Sequence, residues 1–125
     1  MMLPMGNTTK LTDALLWEIL QERLPADEVN QLVWEYLGYE YDPSQQTWRT
    51  ERVASPWRER FPTPPDFIRD RSAIVQLTRS IPPAAKQLLK QELGFPGYQV
   101  SELTPERTRR ATIVNWLLGI RRTHP

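Results

Sequence analysis

Seven aromatic side chains, Trp34, Tyr36, Tyr39, Tyr41, Trp48, Trp57 and Phe61, fall within 28 residues, and Arg49, Arg52, Arg58 and Arg60 are interleaved with them. Aromatic rings bury large area with few rotatable bonds, so such a cluster can hold together a segment of little regular structure. Trp, Tyr and Arg are also the residue types that dominate the energetics of protein interfaces. The cluster therefore reads either as a local core or as an interaction surface made of Trp34, Tyr39, Tyr41, Trp48, Arg49, Arg52, Trp57, Arg58 and Arg60. Whether Trp34, Trp48 and Trp57 are exposed decides between the two. Stacking on nucleobases is open to the same residues, with arginines on phosphate, although no RNA- or DNA-binding signature accompanies them.

Other chemistry is excluded by what the chain lacks. It has no cysteine and one histidine, His124, beside the C-terminus. Disulfides, thiolate nucleophiles and cysteine-ligated metals are thereby removed, and a zinc site would rest on carboxylates almost alone, which is not the usual ligand set. There is no glycine-rich phosphate loop and no Ser/His/Asp set. No catalytic residue, cofactor site or metal site is expected, and the chain reads as non-enzymatic.

Charge is uneven. Residues 1–50 carry three basic and eight acidic side chains, residues 51–125 thirteen and seven, and arginine outnumbers lysine thirteen to three. The simplest reading is an acidic half packed beside a basic half; the sharper one is a basic surface for an anionic partner. Two charges sit in apolar helix stripes, Arg71 beside Phe67, Ile74 and Val75, and Glu92 beside Leu88, Leu89 and Leu93. A buried charge needs a partner, so either both lie at helix ends and reach solvent, the simpler reading, or Arg71 and Glu92 form a candidate structural pair between two helices.

The elements that must position these residues follow from periodicity and caps. Thr12 caps a helix over 12–24, ended by Pro25. Val29, Leu32, Val33, Tyr36 and Leu37 mark a second over 26–37, closed by Gly38 with Tyr39 in the accompanying hydrophobic contact; Trp34 lies off that stripe. Alternation on either side of the Asp42-Pro43-Ser44 turn signal predicts a small hairpin near 39–50. The connection 51–65 is cut by prolines, with a helical turn at 57–61. Helices are expected over 65–80, 83–93 and 104–122. The last begins with Thr104-Pro105-Glu106, a cap, a first-turn proline and a dipole-matched acid, and its apolar arc sweeps roughly 220°, against ~100° for a surface helix, so it should be central. Its strip of Thr112, Asn115 and Gly119 suits close approach of a helix from this chain or a second copy. Its arginines 107, 109 and 110 scatter around the wheel, so they form no single basic face.

The fold class expected is all-α: one domain over 12–122, a bundle of about five helices with one hairpin, after a flexible lead-in at 1–11. No apolar run reaches the ~20 residues of a membrane span, and the first residues lack a signal-peptide core, so a cytoplasmic protein is expected, monomeric or homodimeric. The run LGYEYDP with its following Trp48, the proline-rich link and the closing TIVNWLLGIRR resemble the domain of unknown function family 1823 of cyanobacteria and plant plastids. The resemblance spans most of the chain. It implies a bacterial cytosolic member without a transit peptide, and it brings no activity and no functional residues. An unidentified protein partner is the expectation, with nucleic acid as the alternative.

Overall fold

The Thr12 hydroxyl accepts from the Leu15 N–H at 3.1 Å and starts helix α1 (Asp13–Leu20). The protein is seen here as a computed structural model that describes residues 9–123. The expected lead-in and His124 therefore fall mostly or wholly outside the described residues. Within it, Thr9 donates through its N–H and hydroxyl to Glu35 and accepts from the Tyr36 hydroxyl, and Leu11 is buried.

Helix α1 stops four residues short of the expected end. Pro25 disfavours helical geometry in Leu24, and the carbonyls that a longer helix would satisfy find side-chain donors instead. Arg110 donates to Ile19 O at 3.0 Å and Leu24 O at 2.8 Å, and the Tyr98 hydroxyl donates to Leu20 O at 2.7 Å. Glu22 turns the chain in the left-handed region at φ 60°.

Helix α2 (Ala26–Leu37) has the expected bounds and closes on Gly38 at φ 105°, with the Tyr39 N–H reaching back to Trp34 O. Strands β1 (Glu40–Asp42) and β2 (Thr47–Arg49) pair antiparallel, with Tyr41 opposite Trp48. The Asp42 carboxylate closes the turn by accepting from the N–H and hydroxyl of Ser44. The proline-rich connection holds a short helix, α3 (Ser55–Arg60).

Two expected helices are each broken once. Over 65–80, Asp66 caps a single turn by accepting from the Ile68 and Arg69 N–H groups, and Asp70 then caps a separate helix, α4 (Arg71–Ser80), through Ser72. Over 83–93, a 3-10 turn (Pro83–Ala85) precedes α5 (Leu88–Leu93). The buried Asn115 spans that break, donating to Ala85 O at 2.9 Å and accepting from the Leu89 N–H at 3.0 Å. A 3-10 turn, Val100–Glu102, leads into helix α6 (Pro105–Thr123).

Helix α6 is central, as its apolar arc requires. Six consecutive residues, Ile113 to Leu118, are buried, and the helix packs on α1, α2, α4, α5 and the 3-10 turn at Pro83–Ala85. Around it lie Leu16, Ile19, Val29, Val33, Phe67, Leu77 and Leu88. The strip at Asn115 and Gly119 is occupied by this chain's own turn, since a Cβ on Gly119 would stand 3.6 Å from the Ala85 Cβ. The chain is thus mainly α with one small antiparallel hairpin. No helix among the described residues is long and apolar enough to cross a membrane.

Replacing Arg110 by Met keeps the apolar stem but strips donors from Ile19 O, Leu24 O and Glu106. The expected loss is roughly 2–4 kcal/mol in urea unfolding, and a loss below about 0.5 kcal/mol would mean that water replaces the guanidinium. Two left-handed glycines make a second test. Gly94→Ala meets no atom within 4 Å and should cost about 1 kcal/mol. Gly38→Ala would place its Cβ 2.6 Å from Arg52 O and should cost roughly twice that or more.

Candidate interaction surface

The aromatic cluster divides into an inner and an outer set. Tyr39 is buried and its hydroxyl donates to Phe61 O at 2.6 Å, while burial pushes its phenol up to about 12. Trp57 is only 7% exposed and packs edge-on against Phe67 with ring centroids 5.7 Å apart. These rings are core. Trp57 is therefore removed from the expected surface, and Tyr39 contributes no more than an edge to it.

The outer set is Trp34, Tyr41 and Trp48. Trp34 and Trp48 meet edge to face at 5.5 Å, Tyr41 and Trp48 at 5.2 Å, and Tyr41 is 51% exposed. Helix α2 supplies Trp34, and the hairpin register places Tyr41 across from Trp48, so the three rings share one wall. With Gln31, Glu35 and the edge of Tyr39 they line an open groove of about 520 Å³. Gln31, Trp34 and Glu35 are spaced i, i+3, i+4 on the outer face of α2. The position of Trp34 off the buried stripe is the sequence signal that points to this face and its two polar neighbours.

Trp34 is fixed by a bond from its Nε1 to Pro65 O at 2.6 Å. The next residue, Asp66, accepts from Asn30 Nδ2 at 2.9 Å and from Arg69 Nη1 at 2.7 Å, and Asn30 accepts in turn from the Phe67 N–H. This ties α2 to the 65–69 segment that Trp34 leans on. Burial alone would raise the Asp66 carboxyl, but bonds from Arg69, Asn30 and the Arg69 and Ile68 N–H groups outweigh it and hold it below the usual carboxylate range.

The arginines are not gathered at the groove. Arg49 pairs with Asp42 at 3.0 Å and Arg52 with Glu40 at 3.8 Å. The Asp42 carboxyl is held low by the Ser44 hydroxyl first, with Arg49 adding to it. Arg58 and Arg60 are exposed on α3, the latter 5.8 Å from the Phe61 ring centre. None of the four lines the groove. The helix α6 arginines face inward to separate acceptors: Arg107 to Glu22 at 3.1 Å, Arg109 to Ile68 O, and Arg121 to Asp13 at 2.7 Å and Leu11 O. Acids of the first half thus meet bases of the second.

The candidate Arg71–Glu92 pair is absent, and Arg71 reaches solvent as the simpler reading has it. Glu92 is held by Arg121 at 3.1 Å, with Arg122 at 4.0 Å. The break at Asp70 shifts the helical phase, so Phe67 is buried while Arg71, the first residue of α4, is exposed. The described residues hold no group of three or more His, Asp or Glu side chains able to bind a metal ion.

A family model described as a domain of unknown function (DUF1823) matches residues 10–122. A solution NMR structure of a protein 55% identical in sequence superposes with a TM-score of 0.81 and covers 93% of this chain and 97% of that one. No curated protein matches the chain.

The sign of the Asp66 shift sets a pH test. Its folded pKa lies below the unfolded value of about 3.9, so its contribution is full above that value and is lost as pH falls through the folded pKa. Asp66→Asn should therefore lower stability at neutral pH, and its deficit against the parent protein should shrink as unfolding is measured from about pH 6 down to about pH 3. A deficit constant over that range would mean the carboxylate charge contributes nothing.

Proposed function

The chain belongs to the DUF1823 family, and we propose that it is a non-enzymatic protein-interaction module that binds an extended peptide segment in the groove between α2 and the hairpin. The observation that carries this reading is the edge-to-face wall of the exposed Tyr41 and the half-buried Trp34 and Trp48, set against the sealed rings of Tyr39, Trp57 and Phe67. Perpendicular rings leave slots between their faces, and aromatic-lined grooves of this kind accept proline-rich segments, whose extended form is already populated before binding.

Magnitude fits a transient binder. If each ring loses a further ~50–80 Å² to a partner, burial supplies roughly 1–2 kcal/mol per ring. Three rings then give roughly 4–6 kcal/mol before the cost of association, so these contacts alone hold a lone peptide no tighter than about the millimolar range. The groove is lined by one carboxylate and no cation. A phosphate backbone lying there would meet no counter-charge, so the nucleic-acid reading has less support.

The test is an amide and indole NMR titration of the full chain with a synthetic polyproline peptide. Shifts should concentrate at Gln31, Trp34, Tyr41 and Trp48. The Tyr41→Ala/Trp48→Ala double variant, which removes partly exposed rings, should bind at least ~10-fold more weakly. Absence of binding, shifts centred elsewhere, or a double variant that binds as well as the parent would each overturn the reading.

A further inference from the structure

A second surface lies against the N-terminal half of the central helix. Helix α4, the 100–103 turn and the N-terminal half of α6 enclose a groove of about 480 Å³ whose floor includes Ile74 and Val75 and whose edge is Leu103. Across Leu103 lies a second concavity of about 400 Å³, backed by Phe95. Leu103 and Thr108 line both, so the two form one face with Leu103 as its ridge. The ridge residue Leu103 is 52% exposed, a large apolar side chain left half in water.

The charge on this face is of one sign. Arg71 and Arg109 line the first groove, Lys86 and Lys90 the second, and no carboxylate lines either. Among the described residues Arg71, Lys86 and Lys90 have no ion-pair partner, and Arg109 donates to a backbone carbonyl. The acids nearest in sequence are engaged elsewhere: Glu102 accepts from the Gln99 N–H, Glu106 from Arg110 and Asp70 from Ser72. Thr78 and Thr112 donate their hydroxyls to carbonyls of their own helices. What the face offers outward is therefore apolar surface framed by free cations.

We propose that this face docks an acidic amphipathic helix of another protein. The charge calls for carboxylates, and the exposed Leu103 over Ile74 and Val75 calls for apolar side chains beside them. A helix with acids flanking an apolar stripe presents both at the right spacing. Nucleic acid supplies the charge but leaves the apolar ridge in water. A bilayer supplies both chemistries, but a flat surface does not reach the recessed Ile74 and Val75, whereas the ridge of a helix enters a groove between two helices.

The experiment is fluorescence anisotropy of the full chain with a fluorescein-labelled synthetic helix carrying leucines on one stripe and glutamates on its flanks. The acidic helix should bind, and its affinity should fall as salt rises. The Arg71→Glu/Lys90→Glu double variant should bind at least ~10-fold more weakly, and Leu103→Ser should weaken binding as well. All three positions are exposed, so folding should survive, as thermal unfolding will show. Arg58→Glu/Arg60→Glu on α3 and Tyr41→Ala/Trp48→Ala at the aromatic groove should leave this binding unchanged, which separates it from the first surface. The proposal is overturned if the acidic helix does not bind, if a lysine version binds equally well, or if the α4–α6 variants bind as the parent does. Tighter binding of duplex DNA or of phosphatidylglycerol vesicles would overturn it too.

Discussion

The Arg110 guanidinium is the constraint on which most of the architecture rests. It is 2% exposed, inside the arc that α6 turns to the core. Removing such a charge from water costs several kcal/mol, and the cost is offset only when its donors are used. Here one guanidinium satisfies Glu106 on its own helix, Ile19 O at the end of α1, and Leu24 O in the joint to α2. The α1 carbonyls carry the negative end of a helix dipole, which favours a cation, and the planar fork reaches acceptors that a lysine's single point charge would not span. Three elements are thereby fixed at one point. The direction in which α2 leaves that joint sets where Trp34 stands, so the aromatic groove inherits its geometry from a side chain far from it in sequence.

Arg110 is legible in the sequence as a charge within an apolar stripe. Arg110, Ile113, Val114 and Leu117 are spaced i, i+3, i+4, i+7, and all four are buried. The same rule, that a charge within an apolar stripe needs a partner, also points to Arg71. It fails there because the stripe does not belong to one helix. Asp66 and Asp70 each cap a segment, and between them the phase is reset. Two Asp residues four apart, each able to accept from backbone N–H groups two residues on, are the signal for such a break. Helix α6 has no such residue in its interior, so its wheel is reliable, and its central place, its cap and its closing bounds follow from sequence alone. The length of α1 was not legible, because its end is set by Arg110 and Tyr98, some ninety and eighty residues away along the chain.

Part of the uneven charge of the two halves is settled inside the molecule. Asp13 meets Arg121, Glu22 meets Arg107, and Glu40 meets Arg52. Pairs this exposed contribute at most about 1 kcal/mol each, so they select which surfaces face one another more than they hold them together. Burial around α6 supplies the larger share, at 1.5–3 kcal/mol for a fully buried large aliphatic side chain by the usual area scale. The scatter of the α6 arginines around the wheel then has a plain cause: Arg107 and Arg110 serve the end of α1, Arg109 the turn before α4, and Arg121 both α1 and α5.

A boundary of one residue decides which aromatic is core and which is surface. Tyr39 and Tyr41 are two apart, and in a strand both would face the same way. They do not, because β1 begins at Glu40 and Tyr39 still belongs to the cap of α2. Gly38, held at φ 105° against the Arg52 carbonyl, turns the chain so that the Tyr39 ring enters the core and bonds Phe61 O. Tyr41, one step into the ladder, is set against Trp48 instead and stays half in water. Had the strand started one residue earlier, Tyr39 would have joined the outer wall and the core would have lost the ring that reaches α3. The groove exists because a helix cap and a strand meet without a spacer, and composition, which counts both tyrosines alike, carries no trace of that.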